Sequence, residues 1–327
     1  RNDNGYRAGY SHNEWFPSDT PSFVWGPVGA RLLCVQYRED ESKRHRVKTA
    51  RFDKSFLEFD EHTRLLKGDP PFARYRLSVF DLADPRNPWV CFEQPDDISS
   101  YVYPWRPWND GGDALAFQVQ EYENGVTRTF VATCATRACR EVMQHDFRLQ
   151  SYGQHFWAAD GKTLYFTAET SGWDQLYRLT PDGGIARVTR GDFVFSQNGP
   201  LPVPGADGGH AYLSSTKDSL TSRPLFRVDL QNGDMQPLTA PEFGWVADIT
   251  VSPDETSIAM LAGAANDSLD LYLLRPGDAQ PTRVTDSRGA RHGDWQWIHP
   301  ERFFYPTTGG TVVHGHLFRQ RGAAPRD

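Results

Sequence analysis

A turn signal recurs along the chain at a nearly constant interval. Asp-Gly dipeptides begin at Asp110, Asp160 and Asp207, and Asp254 occupies the matching place in "VSPDETSIAM". These four positions are separated by 50, 47 and 47 residues. Asp-Gly supplies the positive φ angles that tight antiparallel hairpins need. A hairpin that returns at this period constrains the fold more than any other feature, because it indicates a chain built from repeated small sheets.

Short apolar runs follow each turn signal in the same order. The first run of a unit reads "ALAFQVQEY", "KTLYFTAET", "GHAYLSST" or "SIAMLAG", and the second reads "TRTFVAT", "QLYRLT", "PLFRVDL" or "DLYLLRPG". The units tend to close on a run that contains Thr, such as "ARVTRGD" or "QPLTAPE". Each unit is therefore predicted to hold three or four short antiparallel strands.

The predicted architecture is all-β, a β-propeller of four-stranded antiparallel blades. A single small sheet cannot bury both of its faces, so repeated sheets must stack on their neighbours. About five units and a final exit strand can be counted, which predicts an incomplete propeller in this sequence. A β-sandwich is the alternative, although sandwiches do not repeat at this length.

Composition narrows the classes of function. The formal net charge of −7 argues against nucleic acid as a partner, because proteins that bind it usually carry a basic face. No apolar run approaches the roughly 20 residues of a membrane-spanning helix, and the first residues lack the apolar core of a signal peptide. The aromatic content of 13% fits half-buried strands better than helices.

The four cysteines lack the paired spacing of a zinc site. Cys134 and Cys139 flank "ATRA", the predicted tip of a hairpin. A cross-strand disulfide and two part-buried free thiols are both compatible with that position. Cys34 and Cys91 lie in apolar runs and are predicted to be core residues.

The first unit departs from the regular pattern. A strand-turn-strand is predicted over residues 21–37, and an outer pair over residues 73–88. Between them lies a long, highly charged insertion, residues 38–72. A solvated loop is the simpler interpretation, and a segment that crosses the propeller face or mediates contacts is the alternative.

Two further groups of residues raise questions of binding. His314 and His316 share one face of a predicted strand but have no obvious third ligand, so no metal or other cofactor is expected. Four tryptophans are candidates either for an aromatic groove that binds sugars or peptides or, as we favour, for packing between blades. These are Trp105, Trp108, Trp295 and Trp297.

Four segments, in order, resemble the dipeptidyl peptidase IV branch of the prolyl oligopeptidase family. The most specific is "FWAADGKTLYFTAETSGWDQLYRLTPDGGIARVTRGDF", which is similar to a blade of that family's N-terminal β-propeller. "FVWGPVGARLLCVQY" and "KGDPPFARYRLSVFDL" resemble its Trp strand and its outer strand. "TTGGTVVHGHLFRQRG" resembles the strand that leaves the propeller for an α/β-hydrolase domain.

The resemblance implies a serine peptidase that acts on peptide N-termini. Its propeller gates access and binds substrate, and a Ser-Asp-His triad lies on the hydrolase domain. No Gly-x-Ser-x-Gly pentapeptide occurs here, so no catalytic residue is assigned to this chain. We expect a propeller over 1–308, an exit strand and linker over 309–327, and a hydrolase domain supplied by the same parent protein or a separate chain. Further blades are expected upstream, and the resemblance leaves a homodimer open.

The resemblance also implies substrate-binding residues. Glu14, in "SHNEWF", matches one of a pair of glutamates that bind the amino terminus of the peptide, although a solvated loop carboxylate is the simpler interpretation. Phe147 and Arg148 resemble a Phe-Arg pair that lines the substrate pocket. Arg148 is predicted either to reach substrate carbonyls or to be an exposed residue at a blade edge.

Two other functions compete with the peptidase interpretation. A stand-alone propeller that serves as a protein-interaction scaffold would need no catalytic domain. A carbohydrate-active propeller would need paired carboxylates, and the acidic residues here are scattered. The resemblance implies a periplasmic or secreted location, with the cytoplasm as the alternative.

Overall fold

The structure is a computed structural model, and strands form nearly all of its regular structure. No α-helix occurs in the part of the chain that it describes, and a 3-10 turn spans Pro241–Phe243. The described residues are 7–8, 22–39, 45–51, 58–64, 73–96, 98, 100–121, 125–146, 154–195, 202–264, 267–275, 277–289, 294 and 297–319.

Five antiparallel sheets follow one another along the sequence. The strands of the first sheet, together with a hairpin inserted after its third strand, are β1 (Arg7–Ala8), β2 (Phe23–Trp25), β3 (Arg31–Glu39), β4 (His45–Arg51), β5 (Glu58–Arg64), β6 (Ala73–Asp81) and β7 (Trp89–Glu93). The second sheet has β8 (Ser100–Tyr103), β9 (Ala114–Glu121), β10 (Val126–Thr133) and β11 (Ala138–Asp146). The third has β12 (His155–Trp157), β13 (Leu164–Ala168), β14 (Gln175–Leu179) and β15 (Ile185–Arg187).

The remaining strands repeat the same arrangement. The fourth sheet has β16 (Val203–Pro204), β17 (His210–Ser214), β18 (Leu225–Asp229) and β19 (Met235–Pro237). The fifth has β20 (Trp245–Val251), β21 (Ile258–Gly263), β22 (Asp270–Leu274) and β23 (Thr282–Arg283), and a two-stranded hairpin, β24 (Glu301–Pro306) with β25 (Val312–Leu317), follows it. The prediction of an all-β protein with four-stranded antiparallel blades is confirmed, and the set is consistent with an incomplete β-propeller.

The charged insertion is not simply a solvated loop. Strand β3 continues through Arg38 and Glu39, and Glu39 pairs with Ala73 of β6. Strands β4 and β5 pair with each other along their whole length. The predicted outer pair also ends later than expected, because its second strand, β7, begins at Trp89.

The predicted period appears as one turn repeated in all five sheets, between β2 and β3 in the first sheet and between the first and second strands in the others. A residue with positive φ donates its backbone N–H to the carbonyl oxygen three residues earlier. Glycine adopts this conformation at little cost because it has no Cβ. The five donors, with their φ angles in degrees, are Gly29 (71), Gly112 (63), Gly161 (64), Gly208 (67) and Glu255 (54).

The Thr-containing runs that close the units have a defined structural role. In the third, fourth and fifth sheets, a Thr just after the fourth strand accepts a hydrogen bond from a backbone N–H of the third strand. The side chain thus replaces a backbone partner at the point where the ladder ends. The bonds run from Leu176 to Thr189 (3.0 Å), from Leu225 to Thr239 (2.9 Å) and from Leu271 to Thr285 (2.9 Å).

The chain divides into two compact units, Arg1–Trp157 and Ala158–Asp327, and each has a core formed between stacked sheets. In the first unit, Leu33, Leu77 and their neighbours pack against Phe117 and Val119 of the second sheet. In the second unit, Tyr212 and Leu225 of the fourth sheet share a core with residues of the fifth, such as Met260. The sheets therefore bury their faces against each other, as a repeat of small sheets requires.

Tryptophans of the first unit form hydrogen bonds to neighbouring segments of the chain. The indole N–H of Trp108 donates to the carbonyl oxygen of Val24 at 3.0 Å, and that of Trp157 donates to Pro107 at 2.8 Å. Trp105 and Trp108 are buried, which agrees with a packing role rather than an open groove. Trp297 is exposed, and Trp295 lies outside the described residues.

Candidate functional site

Buried polar side chains collect at one end of the sheets, opposite the repeated turn. This is the end where the second strand connects to the third, and we call it the polar end. Loops at the ends of a rigid scaffold are the usual place for binding residues. In the second unit its buried members are Thr167, Glu169, Asp174, Gln175, Thr189, Ser214, Ser215, Thr216, Ser222, Thr239 and Asp270.

Asp174 is the most unusual residue of the polar end in the second unit. Its side chain is 2% exposed, and its Oδ1 atom has no hydrogen-bond partner among the described residues. Burial, and secondly the nearby Glu169 carboxylate, raise the pKa of Asp174 well above its usual range, against a hydrogen bond from Thr167. Burial of this kind favours the neutral form of a carboxyl group.

Gln175, next to Asp174, fixes the loop that leaves the third sheet. Its amide nitrogen donates to the carbonyl oxygens of Gly191 (3.2 Å) and Phe193 (2.9 Å). Its amide oxygen accepts the hydroxyl proton of Thr189 at 3.0 Å. The loop is held rigidly where it passes the polar end.

The polar end of the second sheet, in the first unit, is built differently. Thr127 lies directly opposite both His145 and Gln120 on adjacent strands. Burial lowers the pKa of His145 to about 4, so its imidazole is neutral near pH 7. Its two ring nitrogens and the Thr127 hydroxyl have no partner among the described residues. These groups provide neutral hydrogen-bonding capacity rather than charge.

The sequence predicts three substrate-binding residues. Glu14, Phe147 and Arg148 all lie outside the described residues, so they stay predictions. Strand β11 ends at Asp146, one residue before Phe147, and the description resumes at Gln154.

A cleft of about 380 Å³ opens at the polar end of the second unit. The loop 216–221 of the fourth sheet forms one side, and β24 and β25 form the other. The Phe303 ring lies over Gly315, where an added Cβ would come within 2.8 Å of it. Phe304 is 71% exposed, with its ring centroid 6.1 Å from that of His314.

Both basic side chains of this cleft already have partners. Lys217 donates to the carbonyl oxygen of Met235 at 3.3 Å and lies over the Phe226 ring. Arg302 donates to the carbonyl oxygen of Pro241 at 3.3 Å. The rest of the lining includes aromatic rings, the His314 imidazole, hydroxyl groups and the Asp192 and Asp218 carboxylates. Such a surface suits binding.

Neither metal nor membrane features appear in the described ranges. No group of three or more His, Cys, Asp or Glu side chains is arranged there to hold a metal ion. His314 and His316 lie opposite Phe304 and Arg302 on the paired strand. No described helix has the length and apolar character that crossing a bilayer demands. All four cysteines, including Cys134 and Cys139, are free thiols.

The family model described as "Dipeptidyl peptidase IV (DPP IV) N-terminal region" matches residues 18–269, more than half of the chain. The chain belongs to this family. The resemblance inferred from the sequence motifs is therefore confirmed.

Solved structures share the fold at low sequence identity. Porphyromonas gingivalis dipeptidyl peptidase 4 matches with 17% identity and a TM-score of 0.63, over 90% of this chain and 41% of that one. A Bacteroides ovatus protein named for dipeptidyl aminopeptidase IV matches with 12% identity and a TM-score of 0.65, over 93% and 45%. Puromycin hydrolase matches with 16% identity and a TM-score of 0.61, over 90% and 42%. The chain thus spans less than half the length of these structures.

Sequence reasoning missed several residues of the polar end. Asp174 follows the Ser171-Gly172 reversal, whose Gly172 has a φ of 83°. An acidic residue directly before an apolar strand was the available signal. Its burial depends on the stacking of sheets, which a local pattern does not reveal.

Proposed function

We propose that this chain is the propeller region of a dipeptidyl peptidase IV-like serine peptidase. In this proposal it gates access and binds the amino termini of peptides for an α/β-hydrolase domain that carries the triad. The observation that carries the proposal is the family match over 18–269, joined to a series of four-stranded sheets. Peptide hydrolysis itself is expected of the parent protein.

The C-terminal hairpin supports a partner domain. Every residue of β24 is exposed, including Phe303, Phe304 and Tyr305. Aromatic side chains in such number on an open hairpin favour contact with further protein. Strand β25 falls within the segment that resembles the exit toward a hydrolase domain. We therefore assign β24 and β25 to the junction with that domain.

Substrate binding is assigned to the carboxylate and pocket residues predicted from the family. A protonated peptide amine in a partly desolvated pocket needs a carboxylate acceptor, and Glu14 would supply one. Phe147 and Arg148 would line the pocket, with Arg148 donating to substrate carbonyls. The net charge of −7 favours a cationic amino terminus over an anionic ligand.

The test uses the full-length parent protein. We expect labelling by a serine-reactive fluorophosphonate and cleavage of Ala-Pro-p-nitroanilide but not of its N-acetylated form. Glu14→Gln should lower kcat/KM by about 10- to 100-fold, mainly through KM, because it removes a charged acceptor. Glu58→Gln, at an exposed position in β5, is the matched control and should leave kcat/KM unchanged.

Each failure has a separate meaning. A parent protein that neither reacts with the fluorophosphonate nor cleaves the substrate would overturn the peptidase proposal and favour the interaction scaffold. An active parent in which Glu14→Gln matches Glu58→Gln would overturn only the role of Glu14.

We also propose export to the periplasm or the outside of the cell, and assembly as a homodimer. Both rest on the family resemblance alone. Cell fractionation of the native host and light scattering of the purified parent test them, and a cytoplasmic monomer would overturn both.

A further inference from the structure

The two faces of the second sheet differ in chemistry. On β9, Leu115, Phe117 and Val119 point into the core that the second sheet shares with the first. Side chains alternate between the faces of a strand, so Gln118 and Gln120 point to the opposite face. Both of these glutamines are buried. A buried polar face needs a physical reason, because burying a polar group without a hydrogen bond costs free energy.

The strand register places three more polar side chains on this face. On β10, Thr129 pairs with Gln118 and Thr127 pairs with Gln120. On β11, His145 pairs with Thr127. Directly paired residues share a face of an antiparallel sheet and have Cβ atoms about 4.5–5.5 Å apart. Both threonines are fully buried and His145 is 5% exposed, so the five residues form one buried layer, which we call the polar layer.

Hydrogen bonds within the polar layer are incomplete. The amide nitrogen of Gln118 donates to the Thr129 hydroxyl at 3.2 Å, but the amide oxygen of Gln118 has no partner among the described residues. The Thr127 hydroxyl and both ring nitrogens of His145 also lack a partner in the described part of the chain. Most buried side-chain polar atoms in native proteins are hydrogen-bonded, so these four atoms indicate a ligand that meets them.

The polar layer is uncharged near pH 7. Burial lowers the pKa of His145 to about 4, although the Asp146 carboxylate opposes this, so the imidazole is neutral. The ion pair of Arg128 with Glu121 lies on the other face, because Arg128 pairs with Val119. An ammonium or carboxylate group would lose its hydration in the layer without gaining a counter-charge. A neutral imidazole and a hydroxyl each combine a donor with an acceptor, which matches the C=O and N–H groups of amides.

The position of the polar layer connects it with the predicted substrate residues. Gln120, Thr127 and His145 each lie one residue from the end of their strand, at the polar end of the sheet. His145 also precedes Phe147 by two positions in the sequence. We propose that the polar layer binds an uncharged backbone amide of the peptide substrate, while the charged amino terminus is left to Glu14. This inference deepens the proposed function and rests on it.

The first test observes His145 directly and needs no peptidase activity. In the full chain labelled with 15N-histidine, an excess of the peptide Ala-Pro-Ala-Ala should shift the ring-nitrogen signals of His145, which His145→Gln identifies. Butylammonium, a cation without an amide, should leave those signals unchanged. Signals that the peptide does not move, or that butylammonium moves equally, would overturn the proposal.

The second test separates binding from structure. Thr127→Val removes an unpartnered buried hydroxyl at little change in shape, and it should raise the Tm of the peptide-free full chain by about 1–3 °C. In the active parent protein it should raise KM for Ala-Pro-p-nitroanilide by about 3- to 10-fold and leave kcat nearly unchanged, because a hydrogen bond to bound substrate is lost. A lower Tm with an unchanged KM would mean that water or the protein itself satisfies the hydroxyl, and the site would be refuted.

Variants of His145 test the same point with a conservative replacement. His145→Gln keeps a donor and an acceptor and should stay within about twofold of the wild-type KM, whereas His145→Leu should raise KM by about 3- to 10-fold. Gln144→Leu is the matched control, since Gln144 is exposed and bonds Arg128 on the other face of β11. Equal KM values for His145→Leu and Gln144→Leu would overturn the role of His145. An inactive parent would overturn the peptidase proposal alone, because the spectra of the full chain still decide the amide site.

Discussion

Two strands of similar composition, in two regions of the molecule, differ completely in burial. Strand β13 reads "LYFTA" and is buried at every position, whereas β24 reads "ERFFYP" and is exposed at every position. Both are rich in aromatic residues and both pair with an antiparallel neighbour. The difference is that β13 lies in a four-stranded sheet of the series, and β24 lies in a two-stranded hairpin. Burial in this fold comes from stacking and sheet width, and the pattern of the strand alone does not determine it.

Truncating one aromatic residue in each region should give the largest difference in the loss of stability. Phe166→Ala in β13 removes a fully buried ring and should cost about 3–5 kcal/mol of unfolding free energy. Phe304→Ala in β24 removes a ring that is mostly in solvent and should cost about 0.5 kcal/mol or less. Urea denaturation of the two variants measures the difference. Equal costs would mean that β24 is enclosed in solution.

Two histidines, one buried and one exposed, extend the comparison to the pH dependence of stability. His145 is buried in the second sheet and its pKa is lowered to about 4, whereas His314 is exposed on β25. A folded pKa below the ordinary value of 6.5 means that the unfolded state binds the proton more tightly. The contribution of His145 to the free energy of unfolding is therefore fully present above pH 6.5. Up to about 3 kcal/mol of it is lost as the pH falls toward 4.

We expect His145→Gln to flatten the acid limb of a stability-against-pH curve and His314→Gln to leave it unchanged. Chemical denaturation at intervals between pH 4 and pH 8 provides the measurement. A His145→Gln curve that parallels the wild type would show that other groups cause the acid limb.

Two glycines in the stacked sheets differ in how closely another chain segment approaches them. Gly183 and Gly233 both have positive φ in the turn between third and fourth strands. A Cβ at Gly233 would lie 2.1 Å from the carbonyl oxygen of Val188, whereas one at Gly183 would meet nothing within 4 Å. Gly183→Ala should cost about 1 kcal/mol from backbone strain alone, and Gly233→Ala about twice that or more. Similar costs measured by thermal unfolding would contradict the close approach of the two chain segments.

The smallest expected effect concerns the Thr residues that close the units. Thr189 is buried and Thr285 is exposed, although each accepts the same kind of N–H bond. Thr189→Val leaves Gln175 and the N–H of Leu176 without their partner and should cost about 1–2 kcal/mol. Thr285→Val should cost less than about 1 kcal/mol, because water can replace the hydroxyl. Denaturant midpoints measure the loss of stability in each variant. An equal loss would show that solvent does not reach Thr285.

Much of the fold was open to prediction because its signals are local. The turn at Asp160 works through its own carboxylate, which accepts the N–H groups of Lys162 and Thr163 at 2.8 Å. Backbone geometry of this kind is encoded within four residues, so its recurrence marks the sheets. The inserted hairpin, β4 with β5, escaped notice because its charged sequence lacks the alternation that identifies a strand.

The site was harder to predict for a physical reason. Glu14, Phe147 and Arg148 were chosen by family resemblance and remain predictions. The Asp174 carboxyl is buried only because neighbouring sheets enclose it. The contact of Glu255 with His210 joins residues that are distant in sequence.

By itself, the sequence determined the period, the turns and the identity of the repeating unit, since each depends on φ preferences and hydrogen bonds between near neighbours. The tertiary structure decided which strands are enclosed and which polar groups are buried. It also decided that the glutamate at one of those turns contacts the neighbouring sheet. Those properties depend on the sheet that packs against each face, and desolvation acts only once that sheet is in place.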